Sequence, residues 1–416
     1  MGSIIKKIQE KGVRGIIKSI HIRFYNKLIK PFYSMHGRFA RFLWNIFQLF
    51  PINRNLILFE SEPDFCDNSW ALYQYIKTHR PHYKCVWIVK NPREFILRKD
   101  NNTSFVTRYG KGLHFKTIFY YATARWNFYT HWTFQPYKPR RGQTVVNLWH
   151  GGYPIKASKV KNRDYFDWII SMGEEGKDCL AKYIGCPMHK ILSLGQPRID
   201  LLVDNIAKGT NNPFCKTDNV KKVIMWMPTF RASVTKSLSE NLCDTDTGLP
   251  LLTTKEDLTR FDDLLKHLNV VVIAKIHHLQ ALKDIFKTKY SHLLFLTDDI
   301  LAKEGIQLYE ILGKSDALLT DYSTVVWDYL VVDKPVGFIL DDIELYEKSC
   351  GFNVTDVKDL LKGEHIYNKQ QLIQFIQHVL EEKDEYQHDR RLQIEKRIQM
   401  FPHGGNCKNI TEYFNI

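Results

Sequence analysis

From residue 55 onward, short apolar runs of strand length alternate with longer stretches of helical periodicity. The first half of this region contains six runs that predict strands, at residues 56–59, 85–89, 126–129, 145–149, 168–170 and 191–194. Residues 70–78 and 174–183 have helical spacing and lie between predicted strands. Because strands covered by helices on both faces are apolar throughout, this alternation predicts a parallel, doubly wound α/β sheet.

The same alternation starts again after a polar stretch at residues 208–213. Predicted strands follow at residues 223–227, 270–276, 293–296, 317–320 and 336–339. The pattern therefore predicts two Rossmann-like domains, at residues 55–207 and 208–416. Two such domains facing each other across a cleft make the GT-B architecture. The polar residues 233–254 predict a mobile loop near that cleft.

Residues 1–54 form a separate segment by composition. They hold eleven Lys or Arg residues against one acid, Glu10, and so carry most of the net charge of +14. Large apolar residues recur between these cations at three- and four-residue spacing, and Trp44 lies at a boundary. This pattern is typical of a basic amphipathic helix lying on an anionic membrane surface. A helix packed on the protein's own domain is one alternative, and nucleic-acid binding is the other. We expect no nucleic-acid partner, since that role does not call for so many aliphatic side chains.

The remaining composition is that of an ordinary globular protein. Hydrophobic residues make up 44% of the 416 residues, which is enough for two domains with proper cores. The eight cysteines contain no C-x-x-C pair, so we predict neither a disulfide framework nor a zinc site. Lysines interrupt the N-terminal apolar residues, which argues against a cleavable signal peptide. No apolar run approaches the roughly 18–20 residues needed to span a bilayer, so we expect a cytoplasmic, peripheral membrane protein.

Four polar clusters follow predicted strands, at the strand ends where α/β proteins place their chemistry. The first begins at Asp321 and leads into a predicted amphipathic helix start at residues 325–330. Ser323 and Thr324 add hydroxyl groups to the N–H groups of a helix N-terminus, which favours a phosphate or pyrophosphate ligand. An ordinary N-cap role for Asp321 or Ser323 is the alternative.

The other three clusters carry cations and imidazoles. His150 precedes Gly151 and Gly152, which permit a positive φ or leave room for a close approach, and Lys156 follows them. Arg231 follows another strand and suits bidentate phosphate binding. The last cluster contains Lys275, His277 and His278. For each side chain, the alternative is an ordinary strand-end residue that faces solvent or is satisfied locally.

Together these motifs resemble the signature of the CDP-glycerol glycerophosphotransferase family, the teichoic acid glycerol and ribitol phosphate primases and polymerases. The motifs are W-H-G at 149–151, P-T-F-R at 228–231, K-I-H at 275–277, T-D-Y-S-T at 320–324 with Asp328, and K-P at 334–335. Further matches are Glu60, the pair Asp67 and Asn68, and the segments 195–200 and 404–406. The similarity spans about residues 55–414. The sequence departs from the family at His278, where proline is usual, and family members vary at residues 152–154.

The resemblance implies an enzyme that uses CDP-glycerol or CDP-ribitol as its donor. An acceptor hydroxyl attacks the β-phosphorus and CMP leaves, which builds a teichoic acid, capsule or other cell-surface polymer. The acceptor is expected to be lipid-linked or a glycan, and the reaction to occur at the cytoplasmic face of the cell membrane. Residues 55–207 are then the acceptor domain, and residues 208–416 are the nucleotide-donor domain.

Within that reaction, His150 is the candidate general base, and His277 binds or protonates the donor diphosphate. These two roles are exchangeable. The predicted substrate-binding residues are Lys156, Arg231, Lys275, His278, Asp321, Ser323, Thr324 and Asp328. Asp328 is also expected to cap or orient the loop at Ser323. Fixed cations supply the charge stabilisation, so neither a metal nor another cofactor is expected to be required.

Two other functions fit the same sequence features. A GT-B glycosyltransferase that uses a UDP- or CMP-sugar would have the same domain architecture. A non-catalytic scaffold would bind membranes or polyanions through the basic N-terminal segment alone.

Overall fold

The structure is a computed structural model, and it describes eight stretches of the chain. These are residues 37–108, 114–131, 137–157, 165–208, 212–215, 219–229, 245–276 and 284–416. Predictions for most of the segment 1–54, for Arg231, His277 and His278, and for much of the loop 233–254 lie outside the described residues.

Thirteen strands and fourteen α-helices lie in the described stretches. The strands are β1 (Asn53–Glu60), β2 (Lys84–Val89), β3 (Thr103–Thr107), β4 (Ala124–Tyr129), β5 (Thr144–Asn147), β6 (Trp168–Ser171), β7 (Ile191–Ser193), β8 (Lys222–Met227), β9 (Val270–Lys275), β10 (Leu293–Leu296), β11 (Ala317–Thr320), β12 (Val336–Ile339) and β13 (Glu364–Ile366). The helices are α1 (Arg38–Phe47), α2 (Asp67–His79), α3 (Phe115–Thr123), α4 (Lys177–Ile184), α5 (Pro197–Ala207), α6 (Lys255–Leu268), α7 (Asp298–Glu304), α8 (Leu308–Leu312), α9 (Val325–Tyr329), α10 (Ile343–Ser349), α11 (Val357–Leu360), α12 (Lys369–Leu380), α13 (Gln387–Glu395) and α14 (Asn406–Phe414).

The chain divides into two compact units that are interleaved in sequence. Unit 1 contains the described residues within 1–65, 76–147 and 164–167, and unit 2 contains those within 66–75, 148–163 and 168–416. The predicted functional division at residue 208 stays a prediction.

Unit 1 is built on five parallel strands in the order β3-β2-β1-β4-β5. Helix α3 packs against β1, β3 and β4, and α1 packs against α3. The inner face of α1 buries Leu43 and Trp44 in the core of this unit. Trp44, predicted at a membrane boundary, is instead 4% exposed, and its ring centre lies 5.3 Å from that of Tyr137. The inner face of α1 therefore follows the alternative in which the helix packs on its own domain.

Unit 2 contains the parallel pair β6 and β7 and a six-stranded parallel sheet in the order β10-β9-β8-β11-β12-β13. Alternate residues of β8 enter different hydrophobic clusters: Met225 joins one, and Ile224 and Trp226 join the other. This sheet is therefore buried on both faces, with α6 packed on β9 and β10 and α12 packed on β12 and β13. The predicted α/β fold with parallel sheets is confirmed.

Several predicted element boundaries are wrong by a few residues. Strand β5 ends at Asn147, two residues before its predicted end, because Trp149 has a left-handed backbone with φ of 61°. Two short strands were not predicted, β3 and β13.

The described cysteines, which exclude Cys243, are all free of disulfides. Among the described residues, no helix has the length and apolar character required to cross a bilayer.

Candidate functional site

The loops that follow β8 and β11 meet at the side chain of Asp321. These strands are parallel neighbours, with Met227 opposite Thr320, so the residues after them lie at the same sheet edge. Asp321 accepts hydrogen bonds from the backbone N–H and the hydroxyl of Thr229, both at 2.7 Å. It also accepts one from the N–H of Ser323 at 2.9 Å. Asp321 is fully buried, and its carboxylate therefore fixes both loops.

Lys156 joins this cluster from a third loop. Its Nζ donates to the Thr229 hydroxyl at 2.9 Å and lies 5.8 Å from the centre of the Tyr322 ring. A bridge to Phe352 and a hydrogen bond from Asn353 to the Lys156 carbonyl hold its backbone. The structure thus brings together three predicted site residues, Lys156, Asp321 and Ser323. We call Lys156, Thr229, Asp321 and Ser323 the lysine cluster.

Helix α9 begins next to the lysine cluster, and its N-cap residue is Thr324. The Thr324 side chain makes no capping hydrogen bond, and both Ser323 and Thr324 are half-buried. The prediction of an amphipathic helix is wrong, because every residue of α9 is buried. The helix is also only five residues long, so few peptide dipoles are aligned to favour an anion.

The loop after β5 carries His150 and packs tightly against the start of α9. A Cβ added at Gly152 would lie 2.7 Å from the Trp327 Cβ and 2.9 Å from the Thr324 carbonyl oxygen. The glycine is therefore required by a close approach, one of the two reasons considered for this pair. The positive φ in this loop belongs to Trp149, whose ring lies 4.4 Å from that of half-buried His150.

A buried arginine, Arg198 at the start of α5, connects the His150 loop to α9. Its Nη1 donates to the His150 carbonyl at 2.7 Å and to Asp67 at 3.1 Å. Its Nε and Nη2 donate to Asp328, with the shortest distance 2.9 Å. The Tyr309 hydroxyl donates to the same carboxylate at 3.0 Å.

The charges of Arg198 and Asp328 depend on the contact between them. Burial alone would lower the pKa of Arg198, but the carboxylates of Asp328 and Asp67 raise it, so the guanidinium stays charged. Burial raises the pKa of Asp328 to about 6 against the opposing pull of Arg198. Asp328 is therefore ionised at neutral pH. Its carboxylate is fully enclosed, and its role in substrate binding stays a prediction.

Lys275, at the end of β9, forms an ion pair with Asp298 at 2.9 Å. Its side chain is 14% exposed, so a phosphate group would have to share it with this carboxylate. Its partners in the predicted cluster, His277 and His278, lie outside the described residues, as does Arg231. In the part of the chain that the structure describes, no three His, Cys, Asp or Glu side chains are grouped to hold a metal ion.

Five residues of this site had no predicted role: Asn68, Gln196, Arg198, Thr229 and Tyr309. The first four stand inside or beside recognised motifs, which was the available signal. Tyr309 lies in a helix with no motif, so only its contact with Asp328 reveals it.

Polar side chains gathered at the carboxyl ends of parallel strands are typical of enzymes and nucleotide-binding proteins. The particular family is shown by sequence: the profile of "CDP-Glycerol:Poly(glycerophosphate) glycerophosphotransferase" matches residues 42–414. The chain belongs to this family.

Curated relatives carry names from teichoic acid synthesis. A teichoic acid poly(glycerol phosphate) polymerase of Staphylococcus epidermidis is 27% identical over 73% of this chain and 43% of its own length. A teichoic acid glycerol-phosphate transferase of Staphylococcus aureus is 27% identical over 80% of this chain and 86% of its own length. A teichoic acid poly(ribitol-phosphate) polymerase of Bacillus spizizenii is 24% identical over 80% of this chain and 53% of its own length. The chain thus spans about half the length of the two polymerases.

The fold is similar to that of a solved protein, the wall teichoic acid polymerase TagF. The TM-score is 0.69 at 21% identity, with 95% of this chain and 97% of that chain covered. Another solved TagF structure is that of a histidine-to-asparagine variant soaked with CDPG.

Proposed function

We propose that this protein transfers glycerol phosphate or ribitol phosphate from a CDP-activated donor to a hydroxyl of a lipid-linked or glycan acceptor. The acceptor oxygen bonds to the β-phosphorus, the bond from that phosphorus to the bridging oxygen breaks, and CMP leaves with the electron pair. The products extend a teichoic acid or another cell-surface polymer. The observation that carries this proposal is the lysine cluster at the ends of β8 and β11, in a chain of this family. The names of the relatives and the CDPG soak of TagF support the donor class.

The proposed roles follow the chemistry of phosphoryl transfer, in which positioning and charge stabilisation supply most of the rate. Lys156, Ser323 and Thr324 bind the donor diphosphate, and Asp321 fixes the loops that present them. Arg231, Lys275 and His278 are proposed as further donor contacts. His150 removes the proton of the acceptor hydroxyl, and His277 binds or protonates the diphosphate. Asp328 supports the His150 loop through Arg198. No metal or cofactor is assigned a step.

We further propose the GT-B architecture, with residues 55–207 binding the acceptor and residues 208–416 binding the nucleotide donor. The similarity to TagF shows the parallel α/β fold and supports this assignment.

Lys156→Met is the direct test of the proposed donor site. We expect kcat/KM for CMP release from CDP-glycerol or CDP-ribitol to fall about 100-fold, because the substitution removes a preorganised ammonium group that would bond to the phosphate oxygens. The matched control is Lys222→Met. Lys222 lies at the opposite end of β8, where its Nζ bonds Glu382 at 2.7 Å.

The outcome of that assay also separates the candidate functions. Equal activity in Lys156→Met and Lys222→Met would contradict the proposed donor site. If the wild-type protein released CMP from neither donor and was stabilised by UDP alone, a sugar transferase would replace the polyol-phosphate transferase.

The outer face of α1 and the turn after it suit a membrane surface. Phe42 is 56% exposed, Leu49 83% and Phe50 48%, and Arg41 is exposed beside them. Large exposed apolar side chains next to cations favour insertion at the headgroup boundary of an anionic bilayer. We therefore propose that the protein docks peripherally on the cytoplasmic face of the cell membrane through this surface.

The double substitution Phe42→Asp/Leu49→Asp is expected to lower the bound fraction on phosphatidylglycerol vesicles about tenfold or more, since two apolar side chains no longer leave water. Vesicle co-sedimentation measures this, with phosphatidylcholine vesicles for comparison. Leu392→Asp is the control, because Leu392 is 38% exposed and belongs to unit 2. Unchanged sedimentation of the double variant would refute docking through α1.

A further inference from the structure

Four consecutive backbone carbonyls around His150 each accept a hydrogen bond from a buried side chain. The Nδ2 of Asn68 donates to the carbonyls of Leu148 and Trp149, at 3.3 and 2.9 Å. The Nη1 of Arg198 donates to the His150 carbonyl at 2.7 Å, and the Nε2 of Gln196 donates to the Gly151 carbonyl at 2.7 Å. We call Asn68, Gln196 and Arg198 the loop clamp.

The members of the loop clamp are themselves fixed. Asn68 and Gln196 are fully buried, and Arg198 is 2% exposed. The Asn68 Oδ1 accepts from the Arg198 backbone N–H at 3.0 Å, which orients the amide so that its Nδ2 faces the loop. Arg198 is held by Asp328 through its Nε and Nη2. Hydrogen bonds therefore orient Asn68 and Arg198, and burial restricts Gln196.

The loop itself gives a reason for this arrangement. β5 has already ended, so residues 148–151 are outside the strand ladder. Trp149 also adopts the left-handed conformation that non-glycine residues seldom take. Buried carbonyls without partners are costly, and strained backbone persists only where its surroundings determine it. Side chains from two other segments of the chain supply both requirements.

We infer that Asn68, Gln196 and Arg198 are positioning residues that set the place of the His150 imidazole for proton transfer. The inference rests on the proposed function for the role of His150. The loop clamp bonds to the backbone carbonyls of the histidine and of its neighbours on both sides, and so fixes the backbone from which the imidazole extends. An error of about 1 Å in such a group lowers turnover about 100-fold, so the clamp acts on kcat rather than on donor binding.

The test compares Gln196→Met with Gln393→Met in the full chain. Gln393 is also buried, and its Nε2 donates to the Leu360 carbonyl at 2.7 Å, away from the His150 loop. Each substitution keeps the side-chain length and removes one buried amide-to-carbonyl hydrogen bond. We expect similar shifts in melting temperature, but faster amide exchange in peptides covering residues 148–152 only for Gln196→Met.

Turnover is measured on the same pair with CDP-glycerol and CDP-ribitol. Gln196→Met is expected to lower kcat about tenfold to 100-fold with little change in KM for the donor, and Gln393→Met to leave both near wild type. Gln196→Glu adds a signature that a purely structural role would not give. A buried carboxyl can donate to the Gly151 carbonyl only when protonated, so its kcat relative to wild type should rise as the pH falls.

The outcomes separate the inference from the proposed function. Equal amide exchange in residues 148–152 of the two methionine variants, or equal kcat, would overturn the inference that the loop clamp positions His150. If the wild-type protein released no CMP, the proposed function would fail, while amide exchange would still decide whether Gln196 orders the loop. Loop exchange that rises only in Gln196→Met, together with a fall in kcat, supports the inference in full.

Discussion

His150→Ala is expected to lower kcat for CMP release by about 10²- to 10⁴-fold, because a positioned general base is lost. The fold should survive the change. The loop clamp bonds to backbone carbonyls, so the hydrogen bonds of Asn68, Gln196 and Arg198 to this loop do not depend on the imidazole. Single-turnover CMP release, with circular dichroism and thermal melting on the same samples, measures both effects.

His378→Ala is the matched control for that substitution. His378 is a half-buried imidazole paired with Glu364 at 3.0 Å, far along the chain from the site motifs. The His378→Ala protein should lose some stability and release CMP at the wild-type rate. A His150→Ala protein with wild-type kcat would remove His150 from the reaction, and the role of base would pass to His277.

Arg198→Met is expected to destabilise unit 2 by about 3–5 kcal/mol, the cost of leaving a buried carboxylate without its partner. The carboxylate is that of Asp328, which has no exposed surface. Urea denaturation measures the change in the free energy of unfolding. The comparison is Arg391→Met, which breaks an ion pair with Asp333 whose arginine side chain is 58% exposed. That loss should be about 1 kcal/mol or less, since exposed pairs contribute little.

The loss of stability in Arg198→Met is expected to depend on pH. Because burial raises the pKa of Asp328, its contribution to folding is most favourable at low pH and declines as the pH rises through about 6. Without the Arg198 guanidinium the pKa of Asp328 rises further and the decline extends to higher pH, so the stability deficit of Arg198→Met should shrink as the pH falls toward 4. Adding Asp328→Asn should recover part of the loss at neutral pH. A deficit that is independent of pH would show that the unpaired carboxylate is not its cause.

The sequence predicted most of the fold because buried parallel strands leave a clear apolar signature. The runs that became β8 and β9 were located within one residue at each end. The strand β13 has only three residues, and β3 contains three Thr or Ser residues in five, so neither has enough consecutive apolar residues to be recognised. The early end of β5 depends on the backbone conformation of Trp149, which no composition rule indicates.

The candidate site was predicted in part, for a reason that lies in the geometry of parallel sheets. Sequence analysis assigned Lys156, Asp321 and Ser323 to one site because each lies in a polar cluster after a predicted strand, where α/β proteins place their chemistry. The hydrogen bonds from Thr229 to Asp321 were not predicted, because Thr229 lies 92 positions earlier in the chain. The contacts of Asn68 and Gln196 with the His150 loop span 81 and 45 positions, and local patterns do not encode pairs at such separations.

The side chain of Arg198 bonds to Asp67 and Asp328, each about 130 residues away in opposite directions. One guanidinium therefore ties together the early, middle and late thirds of the gene product. A single crossover with a relative between residues 67 and 328 would therefore take Arg198 and one of its two carboxylate partners from different parents. Chimaeras should stay active only when residues 67–68, residues 196–198 and residue 328 are inherited from the same parent.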